Sequence, residues 1–428
     1  MSVKKYYYFG KNQLYPICRS ITGQGVKKTL KLIQKEFNFL KIKKVKSGTK
    51  AYDWVIPSEW NIKDAFFLDK NKKKFASFKK NNLHIVGYSE PVNKYVKKNE
   101  LIKHLHSYPL QPNAIPYITS YYKKNWGFCV NNNDKKKIIN EYSAQDKFKV
   151  LIKSNLNKNG FLHYGELILK GKSKEEILIS TNICHPSMAN NELSGPIVSM
   201  SLINFFSKKK LNKTIRFLFV PETIGSIYYL SKNINSLKKN IIGGYNLSCI
   251  GDDRMHSCIL SKYENTHSDK ALIDSYKKLG IKFKKFSFLK RGSDERQFNS
   301  PGIDLPIASI SRTKFDEFPE YHTSMDNFKI VTLSGISGGF DVAKNAIEIL
   351  QKKTIPISKY KCEPFMSKRK LYPHLSKKNN KKIPKYTMDF LQYADGKNDL
   401  EDISKLLNIT FSQCNKICIK LKVKKLIN

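Results

Sequence analysis

The central part of the chain alternates between short apolar runs and longer segments whose apolar residues recur at helical spacing. The runs that we expect to be strands are residues 147–156, 162–171, 176–183, 215–220, 241–250, 282–288 and 305–311. The segments that we expect to be helices are residues 194–209, 225–233, 269–280 and 334–352. Because strands that alternate with helices form largely parallel sheets covered on both faces, the pattern predicts an α/β fold.

The segments on both sides of this region have a different pattern. Residues 12–36 are predicted to form a helix, and the alternating pieces at 61–69 and 83–92 indicate a small β-rich unit. Residues 387–428 are predicted to form three short helices in an order similar to that of a winged-helix domain. The apolar positions of these three helices are Phe390, Leu391, Ile403, Leu406, Leu407, Ile417, Leu421 and Leu426.

Length and composition indicate a globular protein of two or three domains. The chain has 428 residues, of which 40% are hydrophobic and 12% aromatic. Its net charge of +43 is typical of a nucleic-acid-binding protein, but only seven of the 78 basic residues are Arg and the Lys residues are spread throughout. An AT-rich genome would give the same excess of Lys, so we do not predict specific nucleic-acid binding by the main body. The charge would still favour acidic or phosphorylated ligands.

The cysteines and the N-terminal sequence predict a cytoplasmic protein. None of the eight cysteines forms a CxxC pair, and most lie in apolar runs, as expected of buried, reduced thiols. The N-terminal sequence MSVKKYYYFG lacks the apolar core of a signal peptide. No run of ~18 apolar residues is present, so no membrane partner is expected.

Polar residues that suit a metal ion follow several of the predicted strands. His185, Glu222 and Asp252 with Asp253 each follow one strand, and His322 follows the last strand at a greater distance. Ligands of α/β sheets bind at the carboxyl ends of strands, and imidazole and carboxylate groups are zinc ligands. A catalytic zinc keeps one position for a water molecule, whose pKa falls to about 7.

Each of these residues also has a simpler interpretation. A single His after a strand is usually an ordinary loop residue, and Glu222 could be the N-cap of the next helix. Asp252 and Asp253 could form a turn. Taken together and in this order on successive strand ends, the residues favour a metal site.

The order and wording of these motifs resemble those of the di-zinc aminopeptidase superfamily. The superfamily's Asp–Asn–x–Ser–Gly, Glu–Glu–x–Gly and Tyr–His–Thr motifs correspond to 191-NELSG-195, 222-ETIG-225 and 321-YHT-323. The stretch 293-SDERQFNSPGIDLPIA-308 is similar to the segment that lines the substrate side in that superfamily. Through motifs such as 184-CHPSMANNELSGP-196, nearly the whole chain is similar to a bacterial group of aminopeptidase-like proteins.

The resemblance implies a phosphorylase/hydrolase-like zinc aminopeptidase fold with two additions. The aminopeptidase-like domain would comprise residues 1–55 and 115–354, and an inserted β-rich domain would comprise residues 56–114. A linker at 355–385 would lead to a winged-helix domain at 386–428. The third helix of that domain could bind DNA through its lysines. We favour a packing or protein-binding role, because Lys occurs throughout the chain.

Three departures from the superfamily pattern reduce the expected metal content. Asn191 replaces the metal-bridging Asp, Thr223 replaces the second Glu of the Glu–Glu pair, and Ser248 replaces the third carboxylate. The remaining ligands would be His185, His322 and Asp252, or Asp253 in its place, with Asn191 or Glu222 as a fourth. This set is sufficient for one zinc ion per chain and poor for two.

The resemblance implies a hydrolase of amide or peptide bonds that uses a metal-bound water. Glu222 would be the general base, Asp294 and Arg296 would lie on the substrate side, and Tyr321 would stabilise the oxyanion. Two other functions remain open. One is an N-acyl hydrolase acting on an amino-sugar or another small molecule of surface polysaccharide biosynthesis. The other is a binding or regulatory protein that keeps the scaffold without turnover.

Overall fold

The structure, a computed structural model, describes residues 2–371 and 382–428 of the chain. Its two units are Met1–Ile347 and Glu348–Asn428. The strands are β1 (Lys41–Lys46), β2 (Lys50–Ala51), β3 (Trp54–Val55), β4 (Glu59–Leu68), β5 (Lys74–Phe75), β6 (Val92–Lys97), β7 (Leu105–His106), β8 (Phe128–Cys129), β9 (Lys147–Asn157), β10 (Phe161–Leu169), β11 (Glu176–Asn182), β12 (Thr214–Val220), β13 (Ile241–Leu247), β14 (Ser257–Ile259), β15 (Lys284–Phe286) and β16 (Ile307–Ser311). The helices are α1 (Ser2–Phe9), α2 (Gln24–Glu36), α3 (Lys98–Lys103), α4 (Asn132–Glu141), α5 (Ser194–Phe206), α6 (Ile224–Asn240), α7 (His267–Lys278), α8 (Glu295–Phe298), α9 (Leu333–Lys352), α10 (Lys382–Tyr393), α11 (Leu400–Leu406) and α12 (Phe411–Val423).

The main sheet of the first unit has eight strands in the order β1-β10-β12-β11-β13-β16-β14-β15. The four central strands, β12, β11, β13 and β16, pair in parallel, whereas β10 and β14 run antiparallel to their central neighbours. Every residue of β11 is buried, as expected of a strand that is covered on both faces. Helix α5 packs on β11, β12 and β13, and α7 packs on β13 and β16. The predicted α/β fold with a mostly parallel mixed sheet is confirmed.

A second, antiparallel sheet of the first unit has the order β5-β4-β9-β6. Strand β9 was predicted as a strand of the main region, but it pairs here with β4 and β6 instead. Its burial alternates along much of its length, because only one face of this sheet packs on a core. Phe67 is central to that core and stacks on Phe75 at 5.4 Å between ring centroids.

The predicted N-terminal helix is only partly correct. Residues 24–36 are helical and bury Val26, Leu30 and Ile33 as the spacing predicts. The segment before them bends instead, and it ends at Gly23, whose φ of 95° is in the left-handed region. A Cβ atom there would lie 2.1 Å from the backbone oxygen of Trp60, so only glycine fits this close approach.

The second unit contains α10, α11 and α12. Most predicted apolar positions form its core, with Phe390, Ile403 and Leu421 fully buried. Leu406, which was expected on the apolar face, is instead about half exposed. Asp399 caps α11 and Thr410 caps α12 through bonds to backbone amides of the first turn. Throughout the described residues, no helix combines the length and apolar character needed to cross a membrane.

Candidate metal site

Three of the predicted site residues meet at the carboxyl edge of the main sheet. His185 follows β11 and Glu222 follows the neighbouring parallel strand β12, so their side chains are adjacent. The distance from His185 Nε2 to Glu222 Oε2 is 3.8 Å. The His322 ring lies 5.3 Å from the His185 ring, centroid to centroid. These three residues and Arg296 line one cavity of about 370 Å³.

The His185 ring is oriented by a buried carboxylate. Nδ1 donates to Glu192 Oε2 at 2.6 Å, and both side chains are buried. A carboxylate on one ring nitrogen fixes the tautomer and leaves the other nitrogen as a metal ligand. Burial alone would lower the pKa of His185, but the neighbouring Cys184 and Glu192 hold that pKa well above its usual range.

Glu192 and Arg19 are functional candidates that the sequence analysis missed. Glu192 lies in the buried turn Ala189–Leu193, and Arg19 donates from Nε to the backbone oxygen of His185 at 3.0 Å. Burial lowers the pKa of Arg19, and the charge on Glu192 opposes that shift. Glu192 falls within the quoted motif 191-NELSG-195. An acidic residue so close in sequence to the candidate ligand His185 was a usable signal.

His322 has a positive φ, and its ring nitrogens form no hydrogen bond with the described residues. Its φ is 54°, and its backbone oxygen accepts from Tyr117 N at 2.8 Å. Its ring packs edge-on to Tyr117 and stacks on Tyr321 at 3.9 Å. Burial and the nearby His185 lower the pKa of His322 to about 3, so the imidazole is neutral and its lone pair is available.

Tyr321 supports His322 and does not line the cavity that holds His185. Together with His322 it lines a separate cavity of about 530 Å³. The tyrosines on the wall of the His185 cavity are Tyr117, Tyr121 and Tyr122. The oxyanion role expected for Tyr321 therefore has no geometric support.

Glu222 lies at the start of a strained turn. Ile224 N donates to Glu222 O at 2.8 Å, which closes a γ-turn centred on Thr223 with φ 64° and ψ −75°. A β-branched residue in this conformation costs about 1–3 kcal/mol, and such strain is concentrated at functional sites. Burial raises the pKa of Glu222, while His185 and Arg296 oppose that shift.

Asp294 and Arg296, the two residues expected on the substrate side, both form hydrogen bonds with Thr223 of the strained turn. Thr223 N donates to Asp294 Oδ1 at 2.8 Å, and Arg296 Nη2 donates to Thr223 Oγ1 at 2.6 Å. Asp294 is fully buried, and burial with the nearby Glu222 charge raises its pKa to about 8. Of this pair only Arg296 lines the cavity.

Asp252 and Asn191 differ in how far they are available to a metal. The Asp252 carboxylate accepts four hydrogen bonds, from Asn190 Nδ2, Arg254 N, Thr313 N and Thr313 Oγ1. Asn191 Oδ1 accepts only from Cys249 Sγ, at 3.9 Å, among the described residues. A metal ion would therefore have to displace strong bonds at Asp252 and none at Asn191. Asn191 is therefore the more available of these two predicted ligands, but like Asp252 it does not line the cavity.

Asp253 is no better placed than Asp252 as a ligand. Its Oδ2 accepts from Thr332 Oγ1, and its Oδ1 lies 3.9 Å from Arg312 Nη2. It is exposed, and neither aspartate lines the cavity.

The donor types at this site suit one zinc ion better than two. His185 and His322 of the cavity wall would supply two ligands once an ion displaces the proton of His185 Nε2. Asn191, which lies outside that wall, would have to supply the third and leave a position for a water molecule. Glu222 is the single carboxylate among the described residues of the cavity wall, so two divalent ions would lack the charge they need.

Comparison with known proteins identifies the scaffold. A family model described as "Domain of unknown function (DUF4910)" matches residues 8–353, and one described as "winged helix-turn-helix" matches residues 354–428. A Clostridium acetobutylicum protein is 40% identical over 394 residues, covering 92% of this chain and 89% of that protein. Its name calls it a candidate polysaccharide biosynthesis protein with an aminopeptidase-like domain.

Solved structures agree with this relationship. The crystal structure of a candidate peptidase from Clostridium acetobutylicum has a TM-score of 0.79 at 37% identity, covering 100% of this chain and 96% of that one. The zinc aminopeptidase BSAP from Bacillus subtilis has a TM-score of 0.60 at 13% identity, covering 84% and 97%. An M28 peptidase precursor from Shewanella amazonensis has a TM-score of 0.56 at 12% identity, covering 85% and 97%. The first unit therefore has the zinc aminopeptidase fold, and the second is a winged helix.

Proposed function

The chain belongs to the DUF4910 family, and we propose that it is a zinc-dependent hydrolase of amide bonds on this aminopeptidase-like scaffold. The observation that carries the proposal is the convergence of His185, His322 and Glu222 on one cavity. The substrate would be a peptide or another small molecule that contains an amide.

One zinc ion would be held by His185, His322 and Asn191. Bound zinc would supply the Lewis acidity that activates a water molecule near neutral pH and polarises the substrate carbonyl. Glu192 supports this role because it keeps the proton of His185 on Nδ1. Asn191 adds an oxygen ligand without a charge, which suits one ion better than two.

Glu222 would act as the general base. Its Oε2 lies on the Nε2 side of His185, where it can take a proton from the attacking water and return it to the leaving amine. Because burial raises the pKa of Glu222, the carboxylate is a better proton acceptor than an exposed one. The γ-turn at Thr223 fixes the backbone beside it. Partly buried Tyr117 and Tyr121 would limit the entry of bulk water.

An N-acyl hydrolase acting on an amino-sugar is the second candidate function. It is supported by the polysaccharide biosynthesis name of the relative at 40% identity. It is also supported by Trp54 and Tyr122, which line the cavity with their rings 6.1 Å apart and are partly exposed. Such aromatic faces suit the apolar side of a sugar ring. A peptidase assay and a deacetylase assay on N-acetylated amino-sugars would separate the two.

Zinc stoichiometry tests the shared mechanism. We expect about one zinc per chain by elemental analysis, lost in His185→Ala and His322→Ala and kept in the remote control His106→Gln. Glu222→Gln should keep the ion and lose turnover, whereas loss of the ion would make Glu222 a ligand instead of the base. No zinc in the wild-type chain after zinc is supplied would overturn the proposal and leave a binding protein on a peptidase scaffold.

A further inference from the structure

Arg296 is a cationic side chain in the cavity wall that has no counter-ion. Its Nη2 donates to Thr223 Oγ1 at 2.6 Å, while its Nε is buried and has no hydrogen-bond partner. Among the residues that the structure describes, no carboxylate forms an ion pair with its guanidinium. The N–H groups of Nη1 and the second N–H of Nη2 have no partner among the described residues and are free to bind a ligand.

Two other arginines have close carboxylate partners, whereas buried Arg19 donates to the backbone oxygens of His185 and Leu14. Arg216 binds Glu166 at 2.5 Å and Glu176 at 2.7 Å, and Arg254 binds Glu320 at 2.7 Å. A guanidinium that is withdrawn from water without a partner is costly, so buried charges are normally compensated. For Arg296 the missing anion can come from the cavity that it lines.

Compensation of nearby charges is the simpler role for Arg296. Its charge opposes the upward pKa shifts of Glu222 and Asp294. Neither carboxylate contacts the guanidinium, however. Asp294 Oδ1 is taken by Thr223 N and Ser226 Oγ, and its Oδ2 is buried without a partner. Charge compensation therefore leaves the donors of Arg296 unused, apart from the one bound to Thr223.

We propose that Arg296 binds a carboxylate of the substrate close to the bond that is cleaved. The fork of a guanidinium matches a carboxylate with two parallel hydrogen bonds. Arg296 shares the cavity with His185 and Glu222, so a substrate anchored there presents its amide to both residues. The substrate class is thus an acidic amide, such as an N-acyl amino acid. A substrate with a free amino group at this point would be repelled.

This inference rests on the proposed function for its substrate role, but binding can be tested without turnover. Metal-free protein is titrated calorimetrically with N-acetyl-L-phenylalanine, with its C-terminal amide, and with L-phenylalaninamide. We expect N-acetyl-L-phenylalanine to bind at least about ten-fold more tightly than its uncharged amide or the cationic L-phenylalaninamide. Arg296→Gln should abolish this preference, and Arg296→Lys should keep part of it, since Lys offers a charge without the fork. Arg291→Gln, an exposed arginine outside the cavity, is the matched control.

Two results would overturn the inference. One is equal binding of the acid and its amide by the wild-type chain, and the other is an unchanged preference in folded Arg296→Gln. If that variant does not fold, a full preference in Arg296→Lys contradicts the bidentate contact. Failure of the proposed hydrolase looks different: zinc or turnover is absent while the preference for the carboxylate and its dependence on Arg296 persist.

Discussion

Replacing Glu192 should weaken zinc binding although Glu192 would not touch the ion. Its Oε2 accepts the proton of His185 Nδ1 at 2.6 Å inside the protein. Glu192→Gln keeps an acceptor at this point but removes the negative charge. Glu192→Ala removes the acceptor as well and leaves a buried Nδ1–H without a partner. The two variants therefore separate the effect of charge from the effect of orientation.

The size of the effect follows from the strength of the bond. A hydrogen bond to a charged group contributes about 1.5–3 kcal/mol, and every ~1.4 kcal/mol changes an affinity ten-fold. Loss of the support for His185 should thus weaken zinc binding about 10- to 100-fold. Glu192→Gln should fall at the lower end because its carbonyl still accepts from Nδ1. Glu192→Ala should fall at the upper end, and its free energy of unfolding should also drop because Arg19 loses a compensating charge.

The assay is competition for zinc against a chromophoric chelator, with protein that was stripped of metal first. Glu141→Gln, an exposed substitution in α4, is the control and should keep the wild-type affinity. Thermal unfolding of each metal-free variant shows that it is folded before the affinities are compared. Wild-type affinity in both Glu192 variants would refute the orienting role, because a structural role alone would change stability and leave the affinity of the folded protein intact.

Three further predictions concern other parts of the molecule. Asp252→Asn should lower the free energy of unfolding, measured in urea, by about 2–4 kcal/mol, because the carboxylate accepts hydrogen bonds from Arg254 and Thr313. The zinc content should not change, and a loss of zinc would instead support Asp252 as a ligand. Burial and the charge of Arg312 lower the pKa of His256 to about 4. Between this pH and the ordinary pKa of about 6.5 the unfolded chain binds more protons than the folded chain, so the free energy of unfolding should fall as pH decreases. His256→Gln should flatten this pH dependence in chemical denaturation, and an unchanged slope would contradict the reasoning. Exposed Lys416 and Lys420 in α12 should not retain DNA at moderate salt; retention that falls steeply with salt and is lost when both are replaced by Gln would instead indicate a DNA-binding winged helix.

The parts of the fold that depend on local pattern were predictable from the sequence. The run at 176–183 contains the apolar series Ile177–Leu178–Ile179 and ends just before His185, and the structure makes 176–182 a central strand with buried residues throughout. The helical spacing in 334–352 likewise corresponds to α9. These elements bury one continuous face or both faces, so their sequence carries the signal by itself.

Features that depend on contacts across the chain were not predictable in the same way. Strand β9 has a strand-like sequence, but its partner depends on pairing with β4, more than eighty residues earlier. Asp252 follows a strand just as a ligand would, and only its bonds to Asn190 and Thr313 favour a structural role. Glu192 is the opposite case, because the sequence pattern assigned no role to it. Its contact with His185 depends on the buried turn that returns it toward the sheet.

The replacement of carboxylates at this site is linked to the presence of Arg296. At the position where the resemblance implies a second metal-binding Glu, the chain has Thr223, whose hydroxyl accepts from the guanidinium of Arg296. A carboxylate there would pair with Arg296 or bind an ion beside it, and a second divalent ion would be repelled by the guanidinium. On that side of the cavity the positive charge therefore comes from the guanidinium of Arg296 instead of from a second metal ion. A fixed guanidinium binds a carboxylate through directed hydrogen bonds, whereas a second metal ion would bind the reacting oxygen. In the mechanism that we propose, the substitution that limits the site to one zinc would thus also change what the cavity recognises.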